Sequence, residues 1–193
     1  SWELGVDMEL APAALILSAT LFDSELENEI NGFVYDPATF GFTSANKDGV
    51  SKRQGIELTA SATLTDDLSI NSAYTYTDSV ESDGAGGYID EVRRARHTGS
   101  LNVAWQATEN LHINANTQFN GSQTDLYFPP FPTPSQTVTL DTYTLVNVTA
   151  NYSATERLDI YVRLDNLLDD DYEEVFGFQT LGFGANLGFR FDL

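Results

Sequence analysis

Residues 146–165 read VNVTANYSATERLDIYVRLD. Val146, Val148, Ala150 and Tyr152 occupy alternate positions, with Asn147, Thr149 and Asn151 between them. After Ser153-Ala154-Thr155-Glu156 the alternation resumes, with Leu158, Ile160, Val162 and Leu164 separated by Asp159, Tyr161, Arg163 and Asp165. Side chains alternate across an extended strand, so each half predicts a β-strand with one apolar and one polar face.

The same period of two extends outward in both directions. Trp2, Leu4, Val6, Met8 and Leu10 share one face of the first segment. Further faces are formed by Leu15 to Leu21, Ile56 to Leu64, Leu68 to Tyr76, Leu101 to Trp105 and Leu111 to Phe119. The last runs from Ala185 through Leu187, Phe189 and Phe191 to Leu193. Nine strands of about ten residues result, the length that crosses a bilayer at a tilt. Short turns near Pro12, Asp66, Thr108 and Ala154 alternate with long connections near Phe33–Asn46, Asp78–Glu91, Ser122–Thr137 and Asp169–Gly182.

This layout predicts an all-β fold, an antiparallel transmembrane β-barrel of the outer-membrane type, with turns on one rim and loops on the other. A soluble sandwich gives no reason for such regular alternation. Polar faces rich in Asn, Thr, Ser and Glu suit a wet or plugged lumen. Leu58, Ile113, Val148, Ile160 and Phe189 are expected to face lipid, and Glu57, Asn114, Asn147, Arg163 and Arg190 to face inward. Nine strands cannot close antiparallel, because the first and last would run the same way. The strands are therefore expected to belong to a larger barrel, and a start inside a strand at Ser1 agrees.

Composition narrows the function. Nine Lys+Arg against 29 Asp+Glu give a formal net charge of −20, which repels phosphate backbones and argues against nucleic acid as a partner. The 41% apolar and 12% aromatic content argues against disorder. With no Cys, disulfide scaffolds, Cys-ligated zinc and thiol nucleophiles are excluded. His97 and His112 stand on different strands, and no G-x-S-x-G, HExxH or P-loop pattern occurs. No catalytic residue, resident metal or cofactor is expected.

The C-terminal motifs are more specific. The final strand, Gly184 to Leu193, resembles the outer-membrane assembly signal, here carried by Phe189, Phe191 and Leu193, with Leu in place of the usual terminal aromatic. The stretch LDNLLDDDYEEVFGFQT, Leu164 to Thr180, contains Asn166-Leu167-Leu168-Asp169 followed by Asp171-Tyr172-Glu173-Glu174. It resembles the C-terminal signature of TonB-dependent outer-membrane receptors. Phe176-Gly177-Phe178-Gln179-Thr180 is similar to the cobalamin and catecholate-siderophore branches, though an Arg often present beyond it is missing here. Gly49–Ala60, Tyr74–Ser79, Arg93–His97 and Thr139–Tyr152 also resemble family patterns.

The resemblance implies that residues 1–193 form the C-terminal portion of a barrel of about 22 strands with a plugged lumen. The plug domain is then expected to be absent. It implies an active-transport receptor for a scarce small-molecule solute, such as an iron-siderophore complex or cobalamin. Its partners would be outer-membrane lipid and lipopolysaccharide, TonB through the missing plug, and the barrel-assembly machinery through the last strand. In that family outer loops contact substrate. This singles out Tyr127, Phe128 and Phe131 in the proline-rich YFPPFPTPS loop, with Phe176 and Phe178, against the alternative of a self-packed stiff loop. The rival functions are a self-contained small barrel with a structural or adhesion role, and an outer-membrane barrel enzyme.

Three charged groups carry weighed alternatives. Asp169, Asp170, Asp171, Glu173 and Glu174 suit Ca²⁺ by ligand type but lack an EF-hand's spacing, so a solvated loop is favoured. Asp23, Glu25, Glu27 and Glu29 would share one face of a continued strand and suit a cationic ligand or a divalent ion, with a hydrated extension of the barrel above the membrane favoured. Arg93, Arg94 and Arg96 suit a phosphate or carboxylate ligand, or compensation of nearby acids.

Overall fold

A strand apolar on one side and polar on the other is stable only beside strands whose like faces align with it. The computed structural model of the protein describes all residues except Pro12, Ala13, Lys47 and Leu193, with the side chains of Asn31, Gly32 and Phe33 also outside the description. The strands among the described residues are β1 (Trp2–Leu10), β2 (Leu15–Glu27), β3 (Ile30–Asp36), β4 (Gly41–Asn46), β5 (Val50–Thr65), β6 (Leu68–Ser82) and β7 (Tyr88–Asp90). They continue with β8 (His97–Thr108), β9 (Leu111–Asn120), β10 (Gln123–Tyr127), β11 (Gln136–Leu140), β12 (Tyr143–Thr155), β13 (Leu158–Asp165) and β14 (Gly184–Phe191). The main sheet has the order β1-β2-β5-β6-β8-β9-β12-β13-β14, and its strands pair antiparallel. These nine are the strands read from the period-2 pattern.

Register carries each face across the sheet. One row runs Leu15, Ala62, Ile70, Val103, Ala115, Val148, Leu164 and Ala185. A neighbouring row on the other face runs Ser61, Asn71, Asn102, Asn116 and Asn147. Ser61 Oγ donates to Asn71 Oδ1 at 2.8 Å, and Asn114 Nδ2 donates to Asn102 Oδ1 at 3.3 Å. The wall is thus apolar toward lipid and lined with amides and hydroxyls toward the lumen, with the ten facing residues divided as expected. On the polar face Gly55 lets the Phe22 ring lie across β5, since a Cβ there would sit 2.7 Å from Phe22 Cζ and would also clash with the Tyr76 carbonyl.

Both rims follow from the antiparallel order. Along one, Gln106 N–H donates to the Asp67 carbonyl at 2.8 Å, Ser153 N–H to Asn110 at 2.9 Å and Asp192 N–H to Arg157 at 3.0 Å. The turns near Asp66, Thr108 and Ala154 therefore line this rim; Pro12 lies outside the described residues. Along the other, Arg93 N–H donates to the Thr124 carbonyl at 2.7 Å and Gln123 Nε2 to the Glu174 carbonyl at 3.4 Å, so the long connections meet there.

The long connections depart from the expectation of plain loops. The first contains the hairpin β3–β4, the third contains β10–β11, and β7 adds to the end of β6. Asp78 to Ser82 belong to β6 rather than to a loop. Strands β2, β5 and β6 run 13, 16 and 15 residues, longer than a bilayer requires, because polar pairs such as Glu25 opposite Lys52 continue the ladder into water. The acidic run from Asp23 also ends sooner than expected. Asn28 takes a positive φ of 57°, closing β2 at Glu27 and turning Glu29 away from the shared face.

Facing predicts a mutational asymmetry. In the assembled barrel, Val148→Arg, on the apolar face near the middle of β12, is expected to cost about 2–4 kcal/mol and to lower the yield of assembled barrel. Asn116→Arg, one strand away on the lumenal side, is expected to assemble normally. Heat-modifiable barrel in outer-membrane preparations measures both, and equal yields would refute the face assignment. Asn147 is a poorer lumenal control than its facing alone suggests, because its Oδ1 accepts the Asn166 N–H at 2.9 Å.

Candidate functional site

The loop rim is assembled by carboxylates that accept hydrogen bonds from the backbone of neighbouring loops. At the end of β13, Asn166 and Asp169 take positive φ values of 48° and 52°, a conformation that Asn and Asp tolerate better than most residues. Asn166 is buried, and its Nδ2 donates to the carbonyls of Asp170 at 3.0 Å and Leu181 at 3.4 Å, while its Oδ1 accepts the Asp170 N–H at 3.0 Å. Both ends of the last loop are thereby tied to one amide. Asp169 Oδ1 accepts the Phe183 N–H at 2.7 Å, Asp170 Oδ2 the Thr144 N–H at 2.9 Å, and Glu173 Oε2 the Gly177 N–H at 3.1 Å. The acidic cluster acts as a set of backbone staples. Among the described residues no group of three or more His, Asp or Glu has metal-binding geometry.

The arginines carry out compensation. Arg53 forks onto buried Glu91, with Nη2 2.9 Å from Oε1, and also reaches Glu29 at 2.8 Å. Ser79 Oγ donates to Glu91 Oε2 at 2.7 Å, and Arg94 pairs with the same oxygen. Burial would raise the Glu91 pKa; the Arg53 and Ser79 hydrogen bonds, with the charges of Arg53 and Arg94, outweigh it and hold the group below its ordinary value. Arg96 lies 3.0 Å from Asp90 and 3.5 Å from Asp78.

Asp125, on β10, is fully buried and joins three loops. It accepts from Arg93 Nε at 2.9 Å, from its neighbour Leu126 N–H at 2.8 Å and from Phe176 N–H at 2.8 Å. Burial pushes its carboxyl pKa up, but the Phe176 and Leu126 N–H groups and the Arg93 guanidinium prevail and lower it from 3.8. This staple brings the aromatic candidates together. The rings of Tyr127 and Phe176 lie 5.1 Å apart at 56°, and both are partly exposed. Phe128 and Phe178 are more exposed, and Phe131, at the tip, is 97% exposed. Tyr127 therefore packs against the last loop, while Phe131 stands out at the tip. Phe189 and Phe191 lie on the apolar face of β14, whereas Leu193 lies outside the described residues. The histidines do not meet: His97 pairs with the Tyr74 hydroxyl at 2.7 Å, and His112 faces the lumen opposite Asn151.

Tyr172 enters the sequence reading only as part of the Asp171-Tyr172-Glu173-Glu174 motif and Tyr143 only within Thr139–Tyr152, neither as a site residue. Tyr143 stands in the lumenal row with Asn120, and its ring lies 4.4 Å from that of Tyr172 in the last loop. Its hydroxyl donates to Glu174 Oε1 at 3.3 Å. The last loop thus leans over the lumenal face, and a cavity of about 490 Å³ opens between it, the end of β11 and Asp141.

The family model described as "TonB dependent receptor-like, beta-barrel" matches residues 1–167. The chain belongs to this family. TonB-dependent receptor barrels are transport and receptor proteins of the bacterial outer membrane, so the apolar face described above is the lipid face. The chain is 31% identical over 179 residues to the vitamin B12 transporter BtuB of Vibrio cholerae, a match spanning 90% of the chain and 27% of that protein. It is 24% identical over 169 residues to the iron-regulated outer membrane virulence protein of the same species, covering 82% of the chain and 25% of that protein. Among solved structures, the pyoverdine receptor FpvA of Pseudomonas aeruginosa superimposes with a TM-score of 0.77 at 18% identity, over 99% of this chain and 29% of that one. The siderophore receptor PiuA of Acinetobacter baumannii gives 0.70 at 22% identity, over 98% and 28%. The chain thus spans about a quarter of the length of the relatives it matches.

The Asp125 staple has a pH signature. Its folded pKa is depressed, so its contribution is fully present above the ordinary value of 3.8 and is lost as pH falls through the lower folded value. In the intact receptor, exchange of the Phe176 amide is expected to stay slow at pH 5 and to outpace the intrinsic acid trend below about 3.8. Asp125→Ala should accelerate it about tenfold to a hundredfold at pH 7, matching about 1.5–3 kcal/mol for a hydrogen bond to a charged group. Unchanged Phe176 protection in that variant would remove Asp125 from its role.

Proposed function

We propose that this chain is the C-terminal barrel portion of an active-transport receptor that takes up a scarce solute, such as an iron-siderophore complex or cobalamin, across the outer membrane. The names of its relatives support that class, and so does the family match. The open edges at β1 and β14 support a barrel completed by further strands, since unpaired backbone groups are not tolerated against lipid. A plug, with its contact to TonB, belongs to the parts of the receptor outside residues 1–193. The apolar end of β14, with Phe189 and Phe191, is the assembly signal for the barrel-assembly machinery, and the lipid face meets phospholipid and lipopolysaccharide.

The observation that carries a substrate role for this portion is the Tyr127–Phe176 contact beside exposed Phe128, Phe131 and Phe178. The carboxylate staples hold two loops at fixed spacing, so the rings present flat apolar area with little ordering left to be done on binding. Capture at these rings is followed by passage along a lumenal wall lined mainly by amides and hydroxyls, which offers hydrogen bonds.

In the intact receptor, Phe131→Ala combined with Phe178→Ala is expected to weaken solute binding about tenfold, from about 0.5–1.5 kcal/mol per aromatic contact. Surface abundance should be unchanged. Radiolabelled cobalamin and ferric-siderophore uptake by cells, with binding measured separately, checks this. Full binding by the double variant would take the substrate role away from these loops.

A further inference from the structure

The charges along the loop rim carry information about the solute. Every described cation on that rim is engaged by a carboxylate. Lys52 lies 3.4 Å from Glu25, Arg53 holds Glu29 and Glu91, Arg93 holds Asp125, Arg94 pairs with Glu91, and Arg96 holds Asp90. An anionic solute arriving here meets no described guanidinium or ammonium group without a carboxylate partner. To recruit one it would have to break a pair, which takes from buried Asp125 its guanidinium partner or from buried Glu91 one of its two.

The cavity under the last loop has a different character. Its wall includes Asp141, Asp171 and Glu173 together with the Tyr172 and Phe176 rings and Thr180. Asp141 and Asp171 are exposed, and Glu173 keeps one oxygen beyond the one that accepts Gly177 N–H. Tyr172 lies against Tyr143, which stands in the lumenal row, so the cavity opens where a solute leaves the loops for the lumen. Aromatic faces beside carboxylates favour an ammonium or guanidinium group by ring quadrupole and by charge.

We propose that the solute handled by this rim is neutral or cationic overall and presents a positively charged amine or guanidine to the cavity walled by Asp141, Asp171, Glu173, Tyr172 and Phe176. The inference deepens the transport function proposed above and rests on it. It assigns the cavity the role of selecting charge, while the exposed aromatics supply apolar contact.

Three iron complexes of different charge test it on the intact receptor: a ferric trihydroxamate bearing a free ammonium group, a neutral ferric trihydroxamate and an anionic ferric tricatecholate. The ammonium-bearing complex is expected to bind most tightly and to weaken as salt rises. The triple substitution Asp141→Asn, Asp171→Asn, Glu173→Gln should weaken it about tenfold, from about 0.2–1 kcal/mol per exposed charge pair, and leave the neutral complex within about twofold. Import of all three without a charge preference, or tightest binding of the anion, would overturn the charge selection while leaving the transport function standing. An unaltered affinity in the triple variant would overturn the assignment to this cavity. Failure of the receptor to bind or import any of the three, or cobalamin, would sink the transport function and the charge selection together.

Discussion

Hydrocarbon offers no partner to a backbone N–H or C=O, and each one left unpaired there costs several kcal/mol. That constraint organises the chain. It requires each spanning segment to bond to neighbours on both sides, which yields the antiparallel ladder from β1 to β14. The ladder in turn forces a period of two, so one residue in two meets lipid and the other meets the lumen. The asparagine row from Asn71 to Asn147 and the apolar row from Leu15 to Ala185 are adjacent consequences of one geometry.

Outside the membrane the constraint relaxes, and a different interaction takes over. Loops there carry backbone donors that no ladder satisfies, and the chain meets them with carboxylates. Asp125 reaches Phe176, Asp170 reaches Thr144, and Asp169 reaches Phe183. Several of these contacts join segments distant in sequence, so the acids set the spacing of the loops. This use of acidic residues leaves the chain strongly anionic, and the few cations are drawn into local compensation around Glu91, Asp90 and Asp125.

The two systems meet at Tyr143. Its backbone opens β12 and pairs with Asn120, and its ring and hydroxyl hold Tyr172 and Glu174 of the last loop. A movement of that loop is therefore coupled through one side chain to the top of the lumenal wall. The Asn147–Asn166 hydrogen bond makes a second such link two repeats of the pleat further along β12.

The nine spanning strands, their facing and the division of turns from loops were legible in the sequence, because period-2 patterning is local and repeated in each strand. Val148 and Asn147 reveal their faces without reference to any other strand. The family was legible too, from motifs such as Asn166-Leu167-Leu168-Asp169. The hairpins β3–β4 and β10–β11 were not, since their strands run only 7, 6, 5 and 5 residues and any alternation, as in Thr137-Val138-Thr139-Leu140, is too brief to stand out from a loop. Nor were the roles of Asp125 and Glu91 visible: a buried staple and a solvated surface acid are the same letter. Only the tertiary structure decided those roles, by bringing Phe176 to Asp125 across 51 positions of sequence and Arg53 to Glu91 across 38. A side chain's face is set by its neighbours in the strand, whereas a carboxylate's work depends on which donors the folded loops carry to it.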